Sequence, residues 1–213
     1  MIDLHTHTLF SDGELIPAEL TRRAAVIGYR AIALTDHGDL SNLDLIIPRV
    51  VRVADDLSAQ WGLKVVPGIE LTHVPPAQYE EATVEARKLG ARIVNAHGET
   101  IVEPVAPGTN RAALEAGVDI LSHPGLINDD DTALAAEKGI CLEITTRKGH
   151  SLTNGHVVLM ARKHGAKLVI NNDAHAPGDL LKPELIHQIA LGAGMTEDDI
   201  ARALKNSEAL AGI

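Results

Sequence analysis

The chain has 213 residues, 45% of them apolar and 23% charged, which suits one soluble globular domain or a small barrel. No apolar run approaches the ~20 residues of a membrane-spanning helix, and the chain enters an apolar strand at once, with neither the basic stretch nor the cleavage site of a secretory leader. A formal net charge of −10 and few aromatics (Phe10, Tyr29, Tyr79, Trp61) disfavour long contact with a nucleic-acid backbone and favour a small ligand.

The pattern predicts strands alternating with helices. Ile2–Leu4 reads as a short strand, and Pro17 opens a helix whose apolar positions (Leu20, Ala24, Ala25, Ile27) recur at helical spacing until Gly28. Ala31–Leu34 is the next strand and ends in Thr35-Asp36-His37. A long helix spans Leu43–Gln60 and stops at Gly62; Leu63–Pro67 then leads to Gly68-Ile69-Glu70. A helix over 77–89 precedes the strand Arg92–Val94 and His97. A short helix over Asn110–Ala116 precedes Asp119–Leu121 and Ser122-His123-Pro124. Asp130–Lys138 is helical, and Ile140–Ile144 carries Glu143. Asn154–His164 is helical, and Leu168–Ile170 leads to Asn171-Asn172-Asp173. Helices near 182–192 and 197–204 complete the chain, with loops at Pro75-Pro76 and Val105–Gly108.

The strands are short and apolar, as expected where both faces of a parallel sheet are covered. Right-handed crossovers put all their C-terminal ends on one side, so residues distant in sequence converge there. The expected fold is an α/β, TIM-barrel-like, distorted seven-stranded (β/α) barrel, with residues 1–213 as one domain and the site at the C-terminal strand ends. An open doubly wound sheet is the alternative, but it gathers ligands from fewer strand ends. Cys141, the one cysteine, leaves no intramolecular disulfide, predicts a reducing cytoplasm, and reads as a buried strand residue.

His5 and His7, one residue apart on a strand, point to the same side and can chelate a borderline cation. Alone that pair is weak evidence. Followed by Asp12, Asp36-His37, Glu70, His97, His123 and Asp173-Ala-His175 at matching strand ends, it describes a multinuclear metal site. Two or three divalent ions would also offset roughly half of the negative charge. Two such ions can hold a hydroxide and clamp phosphate oxygens without a protein nucleophile. That agrees with the lack of a Ser-His-Asp arrangement or a phosphate-binding Gly-rich loop.

His5-Thr-His7, Ser11-Asp12-Gly13, Thr35-Asp36-His37, Gly68-Ile-Glu70, Ser122-His123-Pro124 and Asp173-Ala-His175 resemble, in order, the motifs of the PHP (polymerase and histidinol phosphatase) family. The resemblance spans nearly the whole chain. It implies a phosphoesterase of stand-alone histidinol-phosphatase type binding up to three divalent ions (Zn, Mn or Fe, with Mg as a further option). It also implies one ion on His5, His7, Glu70 and Asp173, a second on Glu70, His97 and His123, and a third on Asp12, His37 and His175. Glu70 would bridge, and Glu70, Asp173 and Asp36 form the expected catalytic set.

Asp36, beside a ligand, reads either as an outer carboxylate orienting a ligand histidine or as a helix cap. Glu143 ends the one strand without an assigned ion, as an outer carboxylate, a substrate contact or half of a buried pair. Arg147, Lys148 and His150 follow it in a basic loop that suggests anion capture, with Arg147 the leading phosphate clamp and Asn154 a weaker candidate. His73 and His156 are open between lining the site and local packing, and His164 and His187 read as ordinary helix residues.

The expected activity is hydrolysis of a small phosphomonoester, such as histidinol phosphate or a nucleotide, by a metal-bound hydroxide. A PHP-type nuclease acting on DNA or RNA ends is the first alternative. An amidohydrolase-like C–N hydrolase is less favoured, because the fourth strand carries no lysine to bridge metals. A non-catalytic metal-binding module is disfavoured by the complete set of nine ligand positions.

Overall fold

The computed structural model describes residues 1–213. Its elements are β1 (Ile2–Asp3), α1 (Pro17–Ile27), β2 (Ala31–Leu34), β3 (His37–Gly38), α2 (Leu43–Trp61), β4 (Lys64–Leu71), α3 (Tyr79–Lys88), β5 (Ile93–His97), α4 (Thr109–Ala116), β6 (Ile120–Ser122), α5 (Asp129–Lys138), β7 (Cys141–Thr145), α6 (Asn154–His164), β8 (Lys167–Asn171), α7 (Pro183–Gly192) and α8 (Glu197–Ala211). Seven parallel strands run β1-β2-β4-β5-β6-β7-β8 around a nearly closed barrel, and the two-residue β3 pairs with the outer end of β4. No helix is long and apolar enough to cross a membrane.

The barrel closes between its first and last strands by an unusual seam. Main-chain pairing there is one bridge, Thr6 to Ala174, with the His7 amide donating to the Ala174 carbonyl at 2.8 Å. Side chains complete it. The Asn171 amide oxygen accepts from the Leu4 N–H at 2.9 Å, and Asn172 donates to both Asp3 oxygens, at 3.2 and 2.7 Å. A strand of two residues cannot supply a full ladder, so amide side chains take the backbone's place.

Alternation along the strands sorts the core into two clusters. Ile2, Leu4, Ala33, Val66, Ile93, Ile120, Cys141 and Val169 fill the barrel, and Ala211 of α8 packs against them. A larger cluster lies between strands and helices, with Leu34, Ile69 and Leu142 facing Leu20, Ile47 and Val157. Burying each such Leu or Ile stabilises the fold by about 1.5–3 kcal/mol.

The largest departures from the expected bounds are in α8 and β4, and the two-residue β3 has no expected counterpart. α8 runs to Ala211, seven residues past the expected 204. Asn206 and Ser207 are weak helix formers, but Asn206 donates to the Leu168 carbonyl at 2.9 Å and Ser207 is buried, so packing on β8 carries the helix onward. β4 continues through Pro67 and Gly68 to Leu71, which places Glu70 inside the strand. A Cβ at Gly68 would lie 2.8 Å from the Ile93 carbonyl, so this inward position has no room for a side chain.

Candidate metal centre

Above the apolar barrel filling lies a buried polar layer of Asn95, Ser122, Glu143 and Asn171. Next come the ligand candidates, gathered around Glu70. One Glu70 oxygen, Oε1, lies 3.1 Å from His5 Nε2 and 3.6 Å from His123 Nε2. The other, Oε2, lies 2.8 Å from His37 Nδ1 and 3.8 Å from His7 Nε2. Asp173 faces the same space, 3.3 Å from His7 Nε2 and 3.7 Å from His5 Nε2.

Three of the histidines are turned alike. His5 Nδ1 is held by Glu143 at 2.9 Å, His97 Nδ1 by the Gly98 carbonyl at 3.2 Å, and His175 Nδ1 by the Asp173 carbonyl at 3.0 Å. His37 Nδ1 meets Thr72 Oγ1 at 2.6 Å. His5, His97 and His175 are thus held through Nδ1 with Nε2 left free, as ligating imidazoles are oriented in metal sites, whereas His37 turns Nδ1 toward Glu70 and Nε2 toward Asp12. Four groups of donor atoms result, each within 4.8 Å of one another: His5, His7 and Glu70; His5, His123 and Asp173; His97, His123 and His150; and His7, Asp12, His37 and His175.

Several of these atoms are buried without a hydrogen-bond partner: His5 Nε2, both His7 nitrogens, His123 Nδ1 and Glu70 Oε1. The 3.1 Å contact of His5 with Glu70 is close but not aligned as a hydrogen bond. Uncompensated buried polar atoms are costly, and cations in the cluster would satisfy those that face it, His5 Nε2, His7 Nε2 and Glu70 Oε1 among them. The donor set of imidazoles and carboxylates therefore fits divalent ions. The backbone is strained at the same place, for His123 and Asp173 adopt positive φ values of 29° and 54°.

Electrostatics follow the geometry. Burial alone would raise the Glu70 carboxyl, but the charge of His5 and the bond to His37 hold it well below the usual range. Asp173 has weaker compensation, and burial pushes it up to about 7. Burial also works to raise Asp12, which is half-exposed at the rim, yet the bonds from His175 and His37 keep it low.

The PHP domain model matches residues 3–171. The chain belongs to the PHP domain family. An uncharacterized protein of Methanocaldococcus jannaschii, MJ1295, is 48% identical over 204 residues, covering 95% of this chain and 94% of that protein. Ribonuclease P protein component 3 of Methanosarcina barkeri is 28% identical, with 91% of this chain and 81% of that protein covered. A probable phosphatase of Thermoanaerobacter sp. (strain X514) is 26% identical, with 93% and 88% covered. Among solved structures, Aspergillus niger ochratoxinase shares the fold, with a TM-score of 0.64 at 18% identity over 99% of this chain and 71% of that one.

The remaining candidate residues of this PHP chain fall in distinct places. Asp36 is bonded to no histidine and caps no helix. It accepts from Thr8 N at 2.7 Å, from Thr8 Oγ1 and from Ser11 Oγ at 2.8 Å, and so braces the loop carrying Asp12. Glu143, counted among the substrate contacts, lies fully buried beneath the ligands. Its oxygens are engaged by His5 Nδ1, Asn171 Nδ2 and the His123 amide, so it orients two ligand candidates, and burial takes it out of reach of substrate.

Arg147 stands at the mouth, 30% exposed, with Nε 3.7 Å from Asp173 Oδ2 and Nη1 3.5 Å from Asp179 Oδ2. Lys148 is exposed beside it, and Asn154 is tied to the Thr145 main chain. His150 is buried against His123, with ring centroids 4.2 Å apart. His156 bonds the Ile127 carbonyl, while His164 and His187 pair with Asp129 and Glu197 on the outside.

Sequence reasoning missed Glu103. Its loop folds over the site and sets its carboxylate 3.2 Å from His97 Nε2, 3.3 Å from His150 Nε2 and 3.6 Å from His73 Nε2. The bond to His97 pulls Glu103 down to about 2. Its one sequence signal was a carboxylate in the loop just after His97.

Proposed function

We propose that this protein is a metal-dependent phosphoesterase that hydrolyses a small phosphomonoester. One observation carries the reading: the Glu70 carboxylate stands at the meeting point of donor groups drawn from His5, His7, His37, His123 and Asp173. Bound divalent ions would polarise phosphate oxygens and acidify a water for attack. Glu70 and Asp173 would bind those ions, and Asp36 would keep Asp12 in register through Thr8 and Ser11. Arg147, which the Asp173 and Asp179 carboxylates hold at the mouth, would grip two phosphate oxygens in a fixed fork. Lys148 would add positive charge beside it. The matching family and the relative named as a phosphatase support this reading. We place the protein in the cytoplasm, on the strength of its lone, buried, unpaired Cys141.

A nuclease is the second reading, favoured by the likeness to a ribonuclease P component and opposed by the net charge of −10. A panel separates the two. Histidinol phosphate, nucleotides, sugar phosphates and a single-stranded oligonucleotide are each incubated with Mn, Zn, Fe and Mg. Release of inorganic phosphate from a monoester, faster than oligonucleotide cleavage, is the expected result. Cleavage of the oligonucleotide alone would move the assignment to the nuclease, and inactivity throughout would overturn the phosphoesterase reading.

A further inference from the structure

The basic loop after β7 contains one residue whose placement differs from its neighbours. Lys148 looks toward solvent and Arg147 reaches Asp173 and Asp179 at the mouth, whereas His150 is folded inward by a short 3-10 turn over His150–Thr153. The residue before it, Gly149, has a φ of 93°, the left-handed backbone that this inward turn uses. A rim contact for substrate has no need of such burial.

His150 shares the orientation of the ligand histidines. Its Nδ1 meets Thr100 Oγ1 at 2.9 Å, which fixes the ring from outside, and Nε2 is left facing inward. There it joins His97 and His123 in a group whose donor atoms all lie within 4.8 Å of one another. The ring centroids of the three are 4.4, 4.2 and 5.8 Å apart. Glu103 reaches His97 and His150 with one oxygen each, and Glu70 lies 3.6 Å from His123. Three imidazoles thus converge where the expected set had two, with the Glu103 carboxylate on His97 and His150 and the Glu70 carboxylate beside His123.

We propose that His150 is a protein ligand of the ion held by His97 and His123, with Thr100 as the outer partner that sets its ring. This rests on the metal-dependent reading of the site. The consequence is chemical. With His97, His123, His150 and Glu70 as donors, that ion has its four protein ligands, as structural sites do, whereas catalytic sites keep a position open. Substrate then gains its metal contacts at the other two positions, and the ion on His150 serves to hold Glu70 and the loops in place.

The test uses the full-length protein, stripped with a chelator and reloaded with Co(II) or Zn(II). Wild type, His150→Ala, His150→Gln, Thr100→Val and His97→Ala are compared by elemental analysis, by competition with a chromophoric chelator, and by the visible Co(II) spectrum. Folding is checked by circular dichroism, and His150→Gln serves if the alanine variant fails to fold. The expected result is that His150→Ala weakens one of the ions by at least about 100-fold, beyond the ~10–100-fold usual for losing an outer partner, which is what Thr100→Val should show. The Co(II) bands should change with it. If His97→Ala loses an ion while both His150 variants keep wild-type affinity and spectrum, His150 is not a ligand and the inference falls alone. If His97→Ala also keeps its metal, the metal-dependent reading falls with it. A His150 that acted as a proton donor to the leaving group would shift only the alkaline limb of the pH–rate profile, with metal affinity unchanged, and that too would overturn the proposal.

Discussion

Replacing Glu143 by glutamine probes how strictly the buried layer sets the proposed metal ligands above it. Glu143 Oε1 receives His5 Nδ1 and Asn171 Nδ2, each at 2.9 Å, and Oε2 receives the His123 amide at 3.0 Å. Glutamine keeps the shape but has one oxygen. If its NH2 replaces Oε2, it faces the His123 N–H, donor against donor, at a residue already strained at φ 29°. If it replaces Oε1, it faces the Asn171 amide and drives the His5 proton to Nε2, the nitrogen that faces Glu70. Either arrangement spoils a ligand without removing one. Losing a charge-assisted hydrogen bond costs about 1.5–3 kcal/mol, and outer-partner losses run to ~10–100-fold in metal affinity, or about 1.4–2.7 kcal/mol. The two ranges overlap near 2 kcal/mol, so a drop of roughly 30-fold in affinity is expected. Chelator competition on stripped and reloaded protein measures it, with a thermal melt to establish that the barrel persists. Affinity within twofold of wild type would refute the claim that Glu143 orients His5 and His123.

Three further outcomes are expected. Glu70→Gln should lose at least one ion and most turnover while the fold persists, because an amide cannot offer two anionic oxygens between His5, His37 and His123; elemental analysis with an activity assay reads both. Arg147→Ala should lower kcat/KM by roughly 10- to 150-fold, from the ~1.5–3 kcal/mol of a charge-assisted bond, with metal content unchanged; a wild-type rate on the best monoester would make Arg147 a loop charge paired with Asp179. Cys141, inside the barrel with its thiol pushed up by burial to about 11, should resist a thiol reagent at neutral pH in the native protein and react fully once denatured; rapid native labelling would contradict its place in the core.

Most of the barrel was legible because its signals are local. Short apolar strands, glycine stops such as Gly28 and Gly62, and a polar ligand type at each strand end all survive in one dimension. The convergence of His5, His7, Asp12, His37, Glu70, His97, His123, Asp173 and His175 followed from parallel topology alone. What stayed hidden depends on loop paths and on which face of a strand end a side chain takes. Glu143 reads the same in sequence whether it points at substrate or at His5, and only the inward position of β7 decides it. His150 looked like one more cation of a basic loop until the turn at Gly149 brought it against His123. Glu103 depended on a loop fold that no periodicity records. The seam of Asp3, Asn171 and Asn172 was hidden for another reason, since side chains there do work that pattern reading assigns to the backbone.

If Glu70 organises a cluster of divalent ions, as we propose, those ions can be counted at their positions. Protein purified without chelator and saturated with Mn or Zn would be analysed for metal content, and its crystals measured for anomalous scattering at the metal edge. Three ions are expected, with Glu70 shared between at least two of them and Asp12, His37 and His175 around the third. At most one ion after saturation, or ions that do not touch Glu70, would contradict it.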